Sequence, residues 1–133
     1  MRLLIQNQSG EDLPNYLEVE LKQILAAIVE EEDLSPETEI SLVFSNDSWI
    51  QELNHEYRGI DMPTDVLSFA QREQSEEEPF FEQQEGENVL GDIVISLPAA
   101  KRQSKEYGHS LLREISYLTV HGMLHLLGYN HLE

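Results

Sequence analysis

The chain has 133 residues, no cysteine, and a formal charge of −18 from 26 acidic and 8 basic side chains. That length suits one domain with a real core across residues 1–133, disulfides are excluded, and no apolar stretch nears the roughly 20 residues that span a bilayer. So acidic a protein repels nucleic acid at long range, so DNA and membranes are not expected partners, any RNA contact must rest on local basic groups, and a cytoplasmic location is expected.

Arg2 to Gln8 reads as a first strand, and its apolar run is too short for a secretion signal. Leu13 to Glu32 predicts an amphipathic helix, because Leu17, Leu21, Ile24, Leu25 and Ile28 recur at three- and four-residue spacing. It ends in the carboxylate run Glu30-Glu31-Glu32-Asp33, expected as a solvated terminus. Thr38 to Ser45 predicts a second strand, with Ile40, Leu42 and Phe44 alternating against Glu39, Ser41 and Val43. Asn46 or Asp47 can cap the next helix, which turns Trp49, Ile50, Leu53 and Tyr57 inward. After a turn at Gly59 to Pro63, Asp65 to Phe69 is a short strand.

Gln71 to Asn88, rich in glutamate and glutamine, predicts a mobile loop that Phe80 and Phe81 could pin to the body. Val89 to Ser96 follows as a strand interrupted at Gly91-Asp92. Ser96 and Pro98 open a helix that Gly108 closes, and a last helix runs from Ser110 to Leu127. The order is βαβαββαα, and an α+β layer of helices on a small mixed sheet is the economical architecture.

The last helix carries the chemistry. His121 and His125 lie four residues apart, hence one turn apart on one face. Gly128 stands where the helix would stop, allowing His131 to swing back as a third ligand. Three imidazoles leave a fourth position open on a divalent ion, the arrangement of a catalytic zinc site. The spacing matches the metzincin signature H-E-x-x-H-x-x-G-x-x-H except at Gly122, where those proteases carry the glutamate that acts as general base. A glycine cannot move a proton, which argues against an ordinary peptidase.

Glu114, seven residues before His121, falls about 20° around the helix from it and roughly 10 Å along the axis. It is a candidate to contact the site from one side, orienting a ligand or pairing with an arginine, and a paired surface residue is the competing reading. Asp65 and Asp92 sit beside apolar neighbours, so each lies either at a solvated strand end or in a cleft. His55 and His109 fall outside the metal pattern and read as solvated or locally hydrogen-bonded. Lys101, Arg102, Lys105 and Arg113 fall close together, a basic strip or an ordinary solvated face.

Three segments together resemble the YbeY family of bacterial rRNA maturation endoribonucleases. They are Tyr57-Arg58-Gly59-Ile60-Asp61-Met62-Pro63-Thr64-Asp65-Val66-Leu67-Ser68-Phe69, Leu90-Gly91-Asp92-Ile93-Val94-Ile95-Ser96, and His121 to His131. The resemblance implies a zincin-like α+β fold, one Zn2+ per chain on His121, His125 and His131, and action on single-stranded RNA in ribosome maturation and quality control. It implies rRNA or the ribosomal particle as partner, with Arg58 as the cleft arginine that engages the RNA backbone. Two departures stand out. Asn130 replaces the family's usual aspartate, and the chain ends at Glu133 where relatives usually continue for a further helix, which would leave this domain short at its C-terminus.

The leading expectation is metal-assisted phosphodiester hydrolysis, with Arg58 on the scissile phosphate and Glu114, acting through a water, among the candidates for the base. Two other readings remain open at this point. One is a non-catalytic ribosome assembly factor with a structural zinc, whose acidic surface would suit basic ribosomal proteins. The other is a metalloprotease-like hydrolase.

Overall fold

The computed structural model describes residues 1–71 and 88–129. The proposed pinning residues Phe80 and Phe81, the departure at Asn130 and the third histidine, His131, lie outside the described residues. The elements are β1 (Arg2–Asn7), α1 (Leu17–Glu31), β2 (Glu39–Ser45), α2 (Asp47–Arg58), β3 (Val66–Ala70), β4 (Val89–Ser96), α3 (Leu97–Tyr107) and α4 (Leu111–Leu126). Their order is the expected one.

The four strands form one sheet in the order β1-β2-β4-β3, with β1, β2 and β4 parallel and β3 antiparallel to β4. On one face, Ile40, Leu42, Phe44, Ile93 and Ile95 pack under apolar side chains of α1, α3 and α4. On the other, Val43, Val94 and Phe69 pack under Ile50 and Leu53 of α2. Both faces of β2 are therefore covered. Val43, which the alternation places opposite the apolar set, is fully buried because Ile50 and Leu53 of α2 pack on it, and Ser41 on the same side is fully buried as well.

Local signals set most boundaries. Asn46, Ser96 and Ser110 each accept a backbone N–H three residues on, the side-chain cap that satisfies an otherwise orphaned donor. Asp47 is not the cap. Its carboxylate accepts from the Ser96 hydroxyl at 2.7 Å and from Arg102 at 2.8 Å, tying the N-terminus of α2 to that of α3. The Arg102 hydrogen bond holds the Asp47 carboxyl below the usual carboxylate range, against the opposing effect of partial burial.

The first helix begins four residues later than its periodicity suggests. The Pro14 carbonyl accepts from Leu17 N–H in a turn, and Tyr16 offers no side-chain cap. Its acidic end is not wholly solvated, since Glu32 accepts the Tyr129 hydroxyl at 2.9 Å.

Gly91-Asp92 does not interrupt β4. The strand continues, and its register against β2 slips by one residue at Leu90. Gly91 is required there. Its φ is +151°, and a Cβ would sit 2.4 Å from the Phe69 carbonyl oxygen and 2.8 Å from Leu126 Cδ2. Gly91→Ala is expected to destabilise the fold by about 3 kcal/mol, because neither the backbone nor the core can yield cheaply. Urea denaturation would show this as a lower midpoint at unchanged slope; an unchanged midpoint would contradict it.

Candidate functional site

The cleft lies at the β3 end of the sheet, between the C-terminus of α2 and the face of α4. Arg58 is the last residue of α2, and Gly59 stops the helix there in the left-handed conformation, with φ of 75°. Asn54, buried one turn earlier, donates to the Met62 carbonyl at 2.9 Å and so fastens the turn that follows. The guanidinium of Arg58 stacks over the Phe69 ring with its carbon 4.6 Å from the centroid. Its Nη1 donates to the Tyr57 carbonyl at 2.9 Å and its Nη2 to the Ser68 carbonyl at 3.0 Å. Phe69 is buried and meets Tyr57 edge-on. An exposed, flexible cation is thus held in one orientation by an aromatic face and two carbonyls.

Across the cleft, His121 and His125 project from α4 with ring centroids 4.8 Å apart. The helix ends as the glycine predicts. Gly128 has a φ of 93°, its N–H donates to the His125 carbonyl, and the Tyr129 N–H donates to the Leu124 carbonyl. That hydrogen-bond pair is the Schellman arrangement, and it turns the chain away from the helix axis. Arg58, Asn54, Ser68, His121, His125 and Tyr129 border one cavity of about 710 Å³. The structure therefore brings Arg58 together with two of the three predicted ligands.

Two imidazoles one turn apart on the same wall suit a divalent first-row ion. Among the described residues no group of three ionisable ligands is assembled, and the third donor expected from the sequence, His131, lies outside them.

Gly122 faces Ile93 of the sheet. A Cβ there would lie 2.7 Å from Ile93 Cγ2, and Ile93 is fully buried. The position that would carry a protease's glutamate has no room for a side chain.

Glu114 does not border this cleft. It is buried at 2% exposure, and its Oε1 lies 2.6 Å from His109 Nε2, so its partner is the histidine that reads from the sequence as solvated or locally hydrogen-bonded. Helical spacing puts Glu114 two turns before His121 on α4, but the loop after α3 returns His109 to Glu114. Asp65 is half-buried at the start of β3 and accepts from Gln103 at 3.3 Å, whereas Asp92 is buried within β4. His55 is exposed. The basic strip is partly neutralised, since Lys101 pairs with Glu11 and Arg102 with Asp47.

Asn54 and Tyr129 were not among the residues singled out from the sequence. An amide on the buried face of α2, beside Ile50 and Leu53, was the available signal for Asn54. Tyr129 had no local signal, because its partner Glu32 is 97 residues away in sequence.

A family profile described as Endoribonuclease YbeY matches residues 4–133. A curated protein of that name from Desulforamulus reducens is 50% identical over 133 residues, which cover 99% of this chain and 85% of that protein. The one from Moorella thermoacetica is 48% identical, covering 98% and 85%. The solution structure of a Thermotoga maritima protein superposes with a TM-score of 0.60 at 29% identity, covering 98% of this chain and 75% of that one. With a family profile matched over nearly its whole length and relatives about half identical to it, the chain belongs to the YbeY endoribonuclease family.

Proposed function

We propose that this protein is a zinc-dependent, single-strand-specific endoribonuclease of rRNA maturation, acting on rRNA or the ribosomal particle in a zincin-like cleft. The observation that carries the reading is the meeting of Arg58 with His121 and His125 around one cavity. His121, His125 and His131 would hold the ion. A divalent cation held there supplies Lewis acidity towards a phosphoryl oxygen and makes water a better nucleophile near neutral pH.

The chain's own residues supply the rest. The fixed guanidinium of Arg58 meets phosphate oxygens bidentately and offsets the charge that develops on them. Position 122 has no side chain to accept a proton, and Glu114 is engaged with His109 away from the cleft. We therefore assign Glu114 the part of an anchor for the loop that carries His109. The peptidase reading is set aside because Gly122 is held to the sheet by packing.

The test is metal analysis of wild type and His125→Ala, with cleavage of a short single-stranded rRNA 3′-end substrate in parallel. Wild type is expected to carry about one zinc per chain, and His125→Ala to lose at least about 100-fold in metal affinity along with cleavage, since even changes behind a ligand cost 10- to 100-fold. A folded His125→Ala variant that cleaves RNA normally would overturn the metal-dependent mechanism, whereas a zinc-loaded wild type that cleaves no RNA would favour a structural zinc and the assembly-factor reading.

A further inference from the structure

A second cavity, of about 460 Å³, opens beside the first. It lies between α3, the start of β3 and the first half of α4, and its buried wall is the His109–Glu114 pair. Asp65 offers a carboxylate to the same cavity, steadied by the Gln103 amide at 3.3 Å and the Thr64 hydroxyl at 3.5 Å. Tyr107 and Tyr117 border it with 62% and 64% of their surfaces exposed, more than any other aromatic side chain among the described residues. Arg113 also borders it and makes no ion pair among the described residues, unlike Lys101 and Arg102 of the same basic strip.

Both cavities are bordered by side chains of α4, along a stripe that winds about 40° around the helix at each four-residue step. Arg113, Tyr117, His121 and His125 follow each other at four-residue intervals, a stripe roughly 18 Å long at 1.5 Å per residue. The Tyr117 and His121 rings stand near-parallel, 28° apart in plane with centroids 6.3 Å apart, at the boundary between the cavities. A strand leaving Arg58 and His121 along that stripe meets Tyr117 and then the second cavity.

The contents of that cavity suit an unpaired base. Exposed rings provide stacking surfaces that every base can use. A carboxylate and an amide can read a Watson–Crick edge, and a guanidinium can meet a flanking phosphate. A carboxylate only accepts hydrogen bonds, so it selects for donors. Guanine has two adjacent donors, N1–H and the N2 amino group, which match the two oxygens of one carboxylate. Uracil has a single N–H between two carbonyls, and these would face the Asp65 oxygens unfavourably.

We propose that this second cavity is a nucleobase subsite that takes an unpaired guanine next to the cleavage point, stacked on the exposed tyrosines and read by Asp65. The subsite rests on the ribonuclease reading of the neighbouring cleft and adds a sequence preference to it.

The test uses the full chain and fluorescein-labelled heptaribonucleotides, all-uridine or with one guanosine moved along the strand. Anisotropy measures binding, and gel analysis of the same oligonucleotides measures cleavage. One guanosine position is expected to raise affinity roughly 10-fold. Tyr107→Ala should weaken binding by roughly 5- to 150-fold while Tyr107→Phe, which keeps the ring, binds as wild type. Asp65→Asn should erase the guanosine preference. Equal affinity for every oligonucleotide, or a Tyr107→Ala variant that binds normally, overturns the subsite, as does a wild type that binds none of them. The two readings separate cleanly. Cleavage with inert Tyr107 and Asp65 variants leaves the nuclease and removes the subsite, whereas guanosine-dependent, Tyr107-dependent binding without cleavage does the reverse.

Discussion

Arg58→Ala is expected to slow cleavage of single-stranded RNA by about 100- to 1,000-fold, the cost of deleting one preorganised donor from a site where charge develops. Stability should fall by about 1 kcal/mol, because the side chain is exposed and its contacts include one ring face and two carbonyls at the surface. Arg58→Lys should not restore the rate. An ammonium cannot lie flat on Phe69 while donating to both Tyr57 and Ser68, and it meets phosphate as a point charge instead of a fork. Single-turnover cleavage of an end-labelled RNA, with a urea melt of each variant, separates the two effects. Cleavage by Arg58→Ala at the wild-type rate would remove Arg58 from the mechanism.

The second large effect concerns Gly122. Writing glutamate at this position completes the metzincin signature, and a reading based on motif alone expects peptidase activity to appear. The packing predicts loss of the fold. The new Cβ would fall 2.7 Å from Ile93 Cγ2, a branched methyl fully enclosed by the core. Overpacking of this kind costs about 1–3 kcal/mol, and forcing a carboxylate into the same apolar contact adds several kcal/mol. Against a total stability of roughly 5–15 kcal/mol, Gly122→Glu should be largely unfolded at 37 °C.

Gly122→Ala isolates the steric part. It gains roughly 1 kcal/mol of helix propensity and loses more to the contact, so it should be mildly destabilising. In an Ile93→Ala background the same change should become neutral or favourable, a coupling that a double-mutant cycle measures. A stable Gly122→Glu protein that hydrolyses peptides would refute the packing argument.

Much of this architecture is legible in the chain because its boundaries are chemically local. Asn46, Ser96 and Ser110 announce helix starts through oxygens that reach only three residues, and Gly108 and Gly128 announce stops through a conformation other residues avoid. The histidine pair is legible for the same reason, since helical geometry converts a spacing of four into a shared face. What the spacing does not carry is the neighbour from elsewhere. Glu114 projects near the histidine face, yet its environment is set by His109, which returns over it after Gly108. Asp65 finds its amide partner 38 residues later in sequence. The alternation in β2 looks like a strand with one wet side until α2 covers Val43. Leu13 looks helical by period, but the Pro14 turn delays the start.

The strand β3 lies at the end of the sheet, with β4 on one side only among the described residues. Such a strand is a template on which an extended polypeptide can add itself by backbone pairing, the way many peptide-binding sheets work and the way sheets aggregate. Here a fixed cation already sits on the Ser68 carbonyl at the mouth of the cleft. An incoming peptide would have to displace Arg58 from both the carbonyl and the Phe69 ring before its own N–H could pair there. A phosphodiester makes no such demand, since it approaches the guanidinium from outside and leaves the strand untouched. In the proposed mechanism one side chain would thus recruit an anion and deter strand addition, a discrimination between two biopolymer backbones that requires no change in the histidine motif.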